Sequence, residues 1–240
     1  MRVENVNTTD IADAIRLGCR TMSSVFNADD NDIPFFGSRV RPVASLSFSP
    51  RHSESHVPGR HLNGLLNAEN AIGISLDEEA IEKHTRAAFY SYSGPVALPL
   101  NRAELDGDLV NFSPHNVREG FHALYSLVAY RDSAKAREMA EASIESIFEY
   151  WDPEQDWKSE ELRRKYGIIV YEEQSFIVGL ARAIGPLVKY FRTTGYGPAL
   201  ELALVLKDKV INGWFAADGQ YDIDIFGTHT HSATCVMSGL

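Results

Sequence analysis

Two kinds of helix-forming segment alternate along this chain, and that alternation limits its possible folds more than any other feature. Residues 60–72, 113–130, 173–191 and a segment opening at His229 are apolar nearly all round or rich in small residues, as a helix buried on every side must be. Residues 77–92, 133–150 and 197–211 each carry a charged face and must border solvent. A further amphipathic segment, 9–26, has Thr9 or Asp10 as its cap. The connections alternate as well. Those from a buried to an exposed helix are short (73–76, 131–132, 193–196), and those from exposed to buried are long (93–112, 151–172, 212–228). In an up-and-down arrangement every long loop then lies at the end where the buried helices begin. That is where function gathers, because loops vary freely and helix N-termini attract polar or anionic groups.

The first turns of the buried helices are polar. They read HVPGRH at 56–61, SPHNVRE at 113–119, YEEQ at 171–174 and THTH at 228–231. Anchored on Arg60, His115, Gln174 and His229, they recur at intervals of 55, 59 and 55 residues. The pattern predicts an all-α fold, an (α/α) toroid of inner helices ringed by outer ones, in one domain over 1–240. Short β-hairpins are expected in the long loops, at 213–226 around Asp218-Gly219 and at 98–111. A helical solenoid competes, but the inner/outer contrast and unequal loops favour the toroid. Six hairpins at this period would need roughly 340 residues. The chain supplies about four and ends inside a buried helix, so the expectation is an incomplete toroid, an N-terminal fragment of a longer protein.

The formal net charge of −10 and the lack of any long basic run weigh against a nucleic-acid partner. No signal-peptide core and no membrane-length apolar run occur, so no membrane association and a cytoplasmic location are expected. Cys19 and Cys235 are the only cysteines and read as small buried hydrophobes.

The candidate site residues come from the polar first turns. Ser113 and Pro114 fit an N-cap and first helical position, and His115, Arg118 and Glu119 follow at helical spacing. Capping explains Glu119 but not the His and Arg beside it. Arg60 and His61 hold the same place on their own helix, with Glu69 two turns further in. A buried Glu69 would have a raised pKa and could act as a general acid, or could simply pair with Arg60 or Arg118. Glu173, beside Glu172 and Gln174, complements the helix dipole or supplies a second carboxylate of the kind a glycosidase uses. His229 and His231 could converge ahead of their helix. With no clear third and fourth ligand, hydrogen bonding to sugar hydroxyls is favoured over metal, and no cofactor is expected. Asp29-Asp30-Asn31-Asp32 reads as a turn rather than a calcium loop. Trp151, Trp157, Trp214 and Tyr171, in or beside the long loops, could stack on sugars.

The segments HVPGRHLNGLL, FSPHNVREGFHALYSLVAY, YWDP, GPLVKYFRTTGYGPALELAL and FGTHTHSATCVMSGL resemble the six-hairpin glycosidase group, near the bacterial β-L-arabinofuranosidase-like hydrolases. The resemblance spans nearly the whole chain and concerns fold more than reaction. It implies an (α/α)6 toroid binding an oligosaccharide in its central cavity, with carboxylates as acid and base. Those arabinofuranosidases use a glutamate and a zinc-bound cysteine cluster. This chain lacks the cluster, so that mechanism is not carried over. The leading expectation is a glycoside-hydrolase-like protein with Glu119, Glu69 and Glu173 as acid or base, and Arg60, His61, His115, Arg118, His229 and His231 binding substrate. The alternatives are a non-catalytic carbohydrate-binding toroid and a uronate lyase or epimerase. In the latter, Arg60 and Arg118 would hold a carboxylate while a histidine takes the proton.

Overall fold

The structure is a computed structural model that describes residues 10–171, 176–216, 218–220 and 229–240. It is mostly helical, with a few short strands. The helices are α1 (Ile11–Met22), α2 (Val57–Ile72), α3 (Glu78–Ser91), α4 (Val117–Arg131), α5 (Ala134–Tyr150), α6 (Ser159–Tyr166), α7 (Ile184–Thr194), α8 (Gly197–Trp214) and α9 (Thr230–Met237).

Local chemistry sets most of these ends. The Asp10 carboxylate accepts from the amides of Ala12 and Asp13 at the start of α1, Asp77 from Glu79 at α3, and Ser133 from Ala136 at α5, which satisfies otherwise orphaned donors. Gly73 and Gly195 close α2 and α7 in the left-handed conformation that glycine adopts at no steric cost. Short links join α2 to α3, α4 to α5 and α7 to α8, and the members of each pair pack together. Helix α4 also lies between α2 and α7, which explains its polar-poor body: Phe121, Leu124 and Leu127 are all buried. Each such side chain contributes roughly 1.5–3 kcal/mol by leaving water.

Close approach of α2 to α4 depends on Gly59, where a Cβ would overlap the backbone carbonyl of Glu119. The two helices therefore meet most tightly at their polar ends. There, α4 is preceded by a 3-10 turn, Pro114–Asn116. The α-helix thus begins at Val117 rather than at Ser113, and no side-chain cap bond forms at that turn.

The third apolar segment departs furthest from expectation. A continuous helix over 173–191 would place Pro186 in its interior, with its ring against the carbonyl of residue 182. Instead a 3-10 turn, Leu180–Ala183, precedes α7, and Pro186 falls in the first turn of α7, where proline is tolerated. Helix α6 lies inside the long connection 151–172. It buries only Leu162, too little to show a period in the sequence.

The strands are β1 (Phe26–Asn27), β2 (Ile33–Pro34), β3 (Gly37–Arg39), β4 (Ser45–Ser47), β5 (Leu100–Arg102), β6 (Leu109–Phe112), β7 (Trp151–Asp152), β8 (Asp156–Trp157) and β9 (Ile169–Val170). β5 and β6 form the hairpin expected near 98–111, and β9 joins β6 in parallel. The hairpin expected at 213–226 falls largely outside the described residues. Among those described, no helix is long and apolar enough to cross a membrane.

Candidate functional site

The loop before α2 supplies the first part of the site. Residues Ser53, Glu54, Ser55 and His56 are buried, an unusual place for polar chain, and three asparagines satisfy this loop. Asn101 Nδ2 donates to Ser55 Oγ (2.7 Å) and Arg51 O (3.1 Å), Asn111 Nδ2 to Pro50 O (3.0 Å), and Asn116 Nδ2 to Arg51 O (2.5 Å). That last bond fixes the Asn116 amide, so its Oδ1 faces His56 Nδ1 at 3.0 Å and His52 Nδ1 at 3.4 Å. Both imidazoles then carry the proton on Nδ1, leaving Nε2 as the basic nitrogen. The His56 ring stacks on His115 with centroids 5.3 Å apart, and Phe36 approaches His52 at 4.3 Å and His56 at 5.7 Å.

Glu119, in the first turn of α4, is the centre of the cluster and has no exposed surface. Its Oε1 accepts from Arg182 Nη2 (2.7 Å) and Arg118 Nη1 (2.8 Å), and Arg60 Nε lies 3.5 Å away. Its Oε2 has no hydrogen-bond partner and sits 3.8 Å from His56 Nδ1. Three guanidiniums thus converge on one carboxylate. Burial works against the charged form of Glu119, but in the acid range where the carboxyl titrates, protonated His56 and the guanidiniums of Arg182 and Arg118 outweigh it and hold the carboxyl well below the usual range. Burial takes His56 and His115 down to about 3 and His52 in the same direction, so the imidazoles are neutral at neutral pH and the standing positive charge belongs to the arginines. Glu119 is therefore ionised, enclosed and committed. It positions the arginines and has no proton to donate.

Arg182 is the partner that the break before α7 creates. It is fully buried, and besides Glu119 its Nη1 reaches the His115 carbonyl at 3.1 Å and His115 Nδ1 at 2.6 Å. His115 Nδ1 is also 2.9 Å from the Val178 carbonyl. His231 closes the ring of contacts, with its Nε2 accepting from Arg60 Nη2 at 3.1 Å.

Of the sequence-derived candidates, the structure thus brings together Arg60, His115, Arg118, Glu119 and His231. Three make their own contacts, although His61 borders a cavity with Arg60 and the His229 ring lies 6.1 Å from that of His231. Glu69 pairs with Arg131 (2.8 Å), which also holds Glu78, at the opposite end of α2. His61 faces His84, with Nδ1 3.3 Å from its Nε2, while His84 contacts the Met22 carbonyl. His229 caps α9 through Ser232. Glu173, with Glu172 and Gln174, lies outside the described residues. Asp29 to Asp32 form a turn in which Asp30 pairs with Arg102, and Asp32 with Lys83 and Arg86. Cys19 is buried, and Cys235 is half-buried beside His231.

His52, His56, Asn116 and Arg182 were not singled out from the sequence. Arg182 left a signal: it is the only charged residue across 174–188, and a lone charge in a buried segment requires a partner.

His56, His115 and Glu119 each offer a ligand atom, all within 4.8 Å of one another. The donor types suit a transition metal. The electrostatics do not, because three guanidiniums crowd the same carboxylate and would repel a divalent cation.

Two cavities border the polar end on this side. One, of about 260 Å³, is lined by Phe35, Phe36, His56, Arg60 and His61 among others. Another, of about 220 Å³, is lined by Gln155, Asp156, Trp157, Tyr171 and Phe176 among others. Trp151 is buried and donates to Asp156 (3.0 Å), whereas the other three aromatics proposed for stacking are half-buried: Trp157 and Tyr171 line the second cavity, and Trp214 lies near Phe176. No family model, curated protein or solved structure matches the chain.

Proposed function

We propose that this is a carbohydrate-active protein on the helical-toroid plan, acting on an acidic saccharide. In this reading His56 accepts a proton and Arg60 holds the substrate carboxylate. The paired helices, the adjacency of α2, α4 and α7, and the gathering of polar groups at one end support the toroid and its central site. The observation that carries the reaction is that His56, Arg60 and Phe36 line one cavity. Together they offer a base, a carboxylate-binding guanidinium and an aromatic surface.

The chemistry is β-elimination from a uronate. The proton α to the carboxylate passes to His56 Nε2, and the C–H electron pair forms the new carbon–carbon double bond. The C–O bond to the leaving sugar breaks, and the departing oxygen takes a proton back from the imidazolium. Arg60 stabilises the negative charge that builds on the carboxylate. His56 alone is a weak base, since burial lowers its pKa to about 3 with Arg60 adding to the effect. A bound carboxylate opposes that charge and raises its basicity. Hydrolysis by a carboxylate pair has less support. Glu119 is sealed in, Glu69 is committed to Arg131, and Glu173 lies outside the described residues.

The test is incubation with uronate-containing oligosaccharides, following ultraviolet absorbance of the unsaturated product together with reducing ends. Solvent-deuterium exchange α to the carboxylate in recovered substrate reports proton abstraction that reverses before the C–O bond breaks. The wild type should produce unsaturation and reducing ends in step, and His56→Gln should lower both by about 10²–10⁴-fold with an unchanged circular-dichroism spectrum. Reducing ends released without unsaturation or exchange, and insensitive to His56→Gln, would show a hydrolase instead.

A further inference from the structure

A cavity of about 290 Å³ lies on the other side of the Arg60–His231 contact and shares no residue with the one that His56 lines. Arg118, His122, Arg182, Lys189 and His231 line it, with Thr234, Cys235, Ser238 and backbone at Gly185 and Gly239. Three of these side chains are permanent cations, several others can donate hydrogen bonds, and no carboxylate is among them. Glu119 balances Arg118 and Arg182 from behind, whereas Lys189, at the exposed rim, makes no ion pair among the described residues.

Two polar atoms behind this wall are also unpaired. His122 Nδ1 and Arg182 Nε are shut from solvent without a hydrogen-bond partner, and both residues line this cavity. An unpaired N–H on the buried, charged Arg182 is costly, and an anion held nearby offsets that cost through its charge. An acceptor-only ligand with several oxygens matches the accessible donors of Arg118 and Lys189.

We propose that this cavity is a binding site for a tetrahedral oxyanion, a phosphate or sulfate group, held by Arg118 and Lys189, with Arg182 and His122 in the wall behind them. The group is either the free ion or an ester on a larger molecule. The site is separate from the uronate pocket, and the inference does not depend on the reaction proposed there.

Calorimetric titration with inorganic phosphate, sulfate, acetate and glucose 6-phosphate tests it. Phosphate or sulfate should bind with a dissociation constant of about 1 mM or tighter, and acetate at least about tenfold more weakly. Lys189→Glu alters an exposed rim position, so the fold should stay intact, and it should weaken phosphate by more than about tenfold. Binding should also shift the His122 imidazole resonance. A sugar phosphate that binds tighter than inorganic phosphate identifies an ester ligand, and equal or weaker binding identifies the free ion. Absence of phosphate and sulfate binding, acetate binding as tightly, or Lys189→Glu without effect would each overturn the proposal.

Discussion

The protein contains two buried arginine–carboxylate clusters with opposite balances of charge. Beneath the first loop, one arginine serves two acids. Arg102 grips Asp30 with both terminal nitrogens (2.9 and 2.6 Å), reaches Glu54 through Nε at 2.5 Å, and also donates to the Leu105 carbonyl. At the polar helix ends the ratio is reversed, with one acid, Glu119, serving Arg60, Arg118 and Arg182. The first cluster uses up its cation and ties together the 3-10 turn at Ala28–Asp30, the loop at Glu54 and strand β5. The second leaves guanidinium donors over, and the cavities lie beside it. Surplus charge of one sign next to open space implies a ligand of the other sign. A cluster whose one cation is fully engaged implies structure.

That contrast fails first, if it fails, at Arg102. Arg102→Met should destabilise the protein by about 3–5 kcal/mol, because it strands two buried carboxylates, and denaturant unfolding would report this directly. A loss below about 1 kcal/mol would mean that the first cluster is not structural. Glu119→Gln should cost less, about 2–3 kcal/mol, since Arg182 loses its charge partner but keeps the His115 carbonyl. Its pH dependence sharpens the comparison. The folded-state pKa of Glu119 lies below the ordinary 4.5. Its stabilisation is therefore complete above that value and disappears as pH falls through the folded pKa. The stability gap between wild type and Glu119→Gln should accordingly be widest near neutrality and narrow in acid. A constant gap would show that the carboxylate is not held ionised by its neighbours.

Much of this arrangement was legible in the sequence, and the part that was not has physical reasons. The 3.6-residue period marks α3 and α5 because each has one wet face, and Asp77 and Ser133 announce their starts. It also found Arg118 and Glu119, because a charged pair opening an apolar helix stands out. The period gives no warning where propensity and covalent geometry conflict. The apolar run before Pro186 looks like one helix, yet the proline forces the start to Ile184 and leaves Arg182 in a tight turn aimed at Glu119. His56 was missed for another reason. Its burial comes from asparagines far along the chain, Asn101 and Asn116, and no local pattern reports contacts of that range. His61 borders the same cavity as Arg60, but one step along a helix turns its side chain by about 100°, and its Nδ1 meets His84.

Arg60 provides the smallest effect on stability and the cleanest division between the two roles. Its side chain is 43% exposed and meets Glu119 at 3.5 Å, beyond good hydrogen-bond geometry. Arg60 is partly solvated, and two closer guanidiniums already serve Glu119, so this third contact contributes little to folding. Arg60→Gln should therefore shift stability by no more than about 0.5 kcal/mol while removing the guanidinium from the cavity beside His56. Turnover of a uronate oligosaccharide should fall through a raised KM, because the carboxylate loses its holder in the ground state, and through a lowered kcat if the same contact strengthens as charge develops. Phosphate affinity at the cavity lined by Lys189 should change less than about threefold, since Arg60 does not line it. Equal losses at both cavities would mean that Arg60 acts by organising the cluster as a whole. A large loss of stability with no loss of turnover would place it with Arg102, as part of the structure.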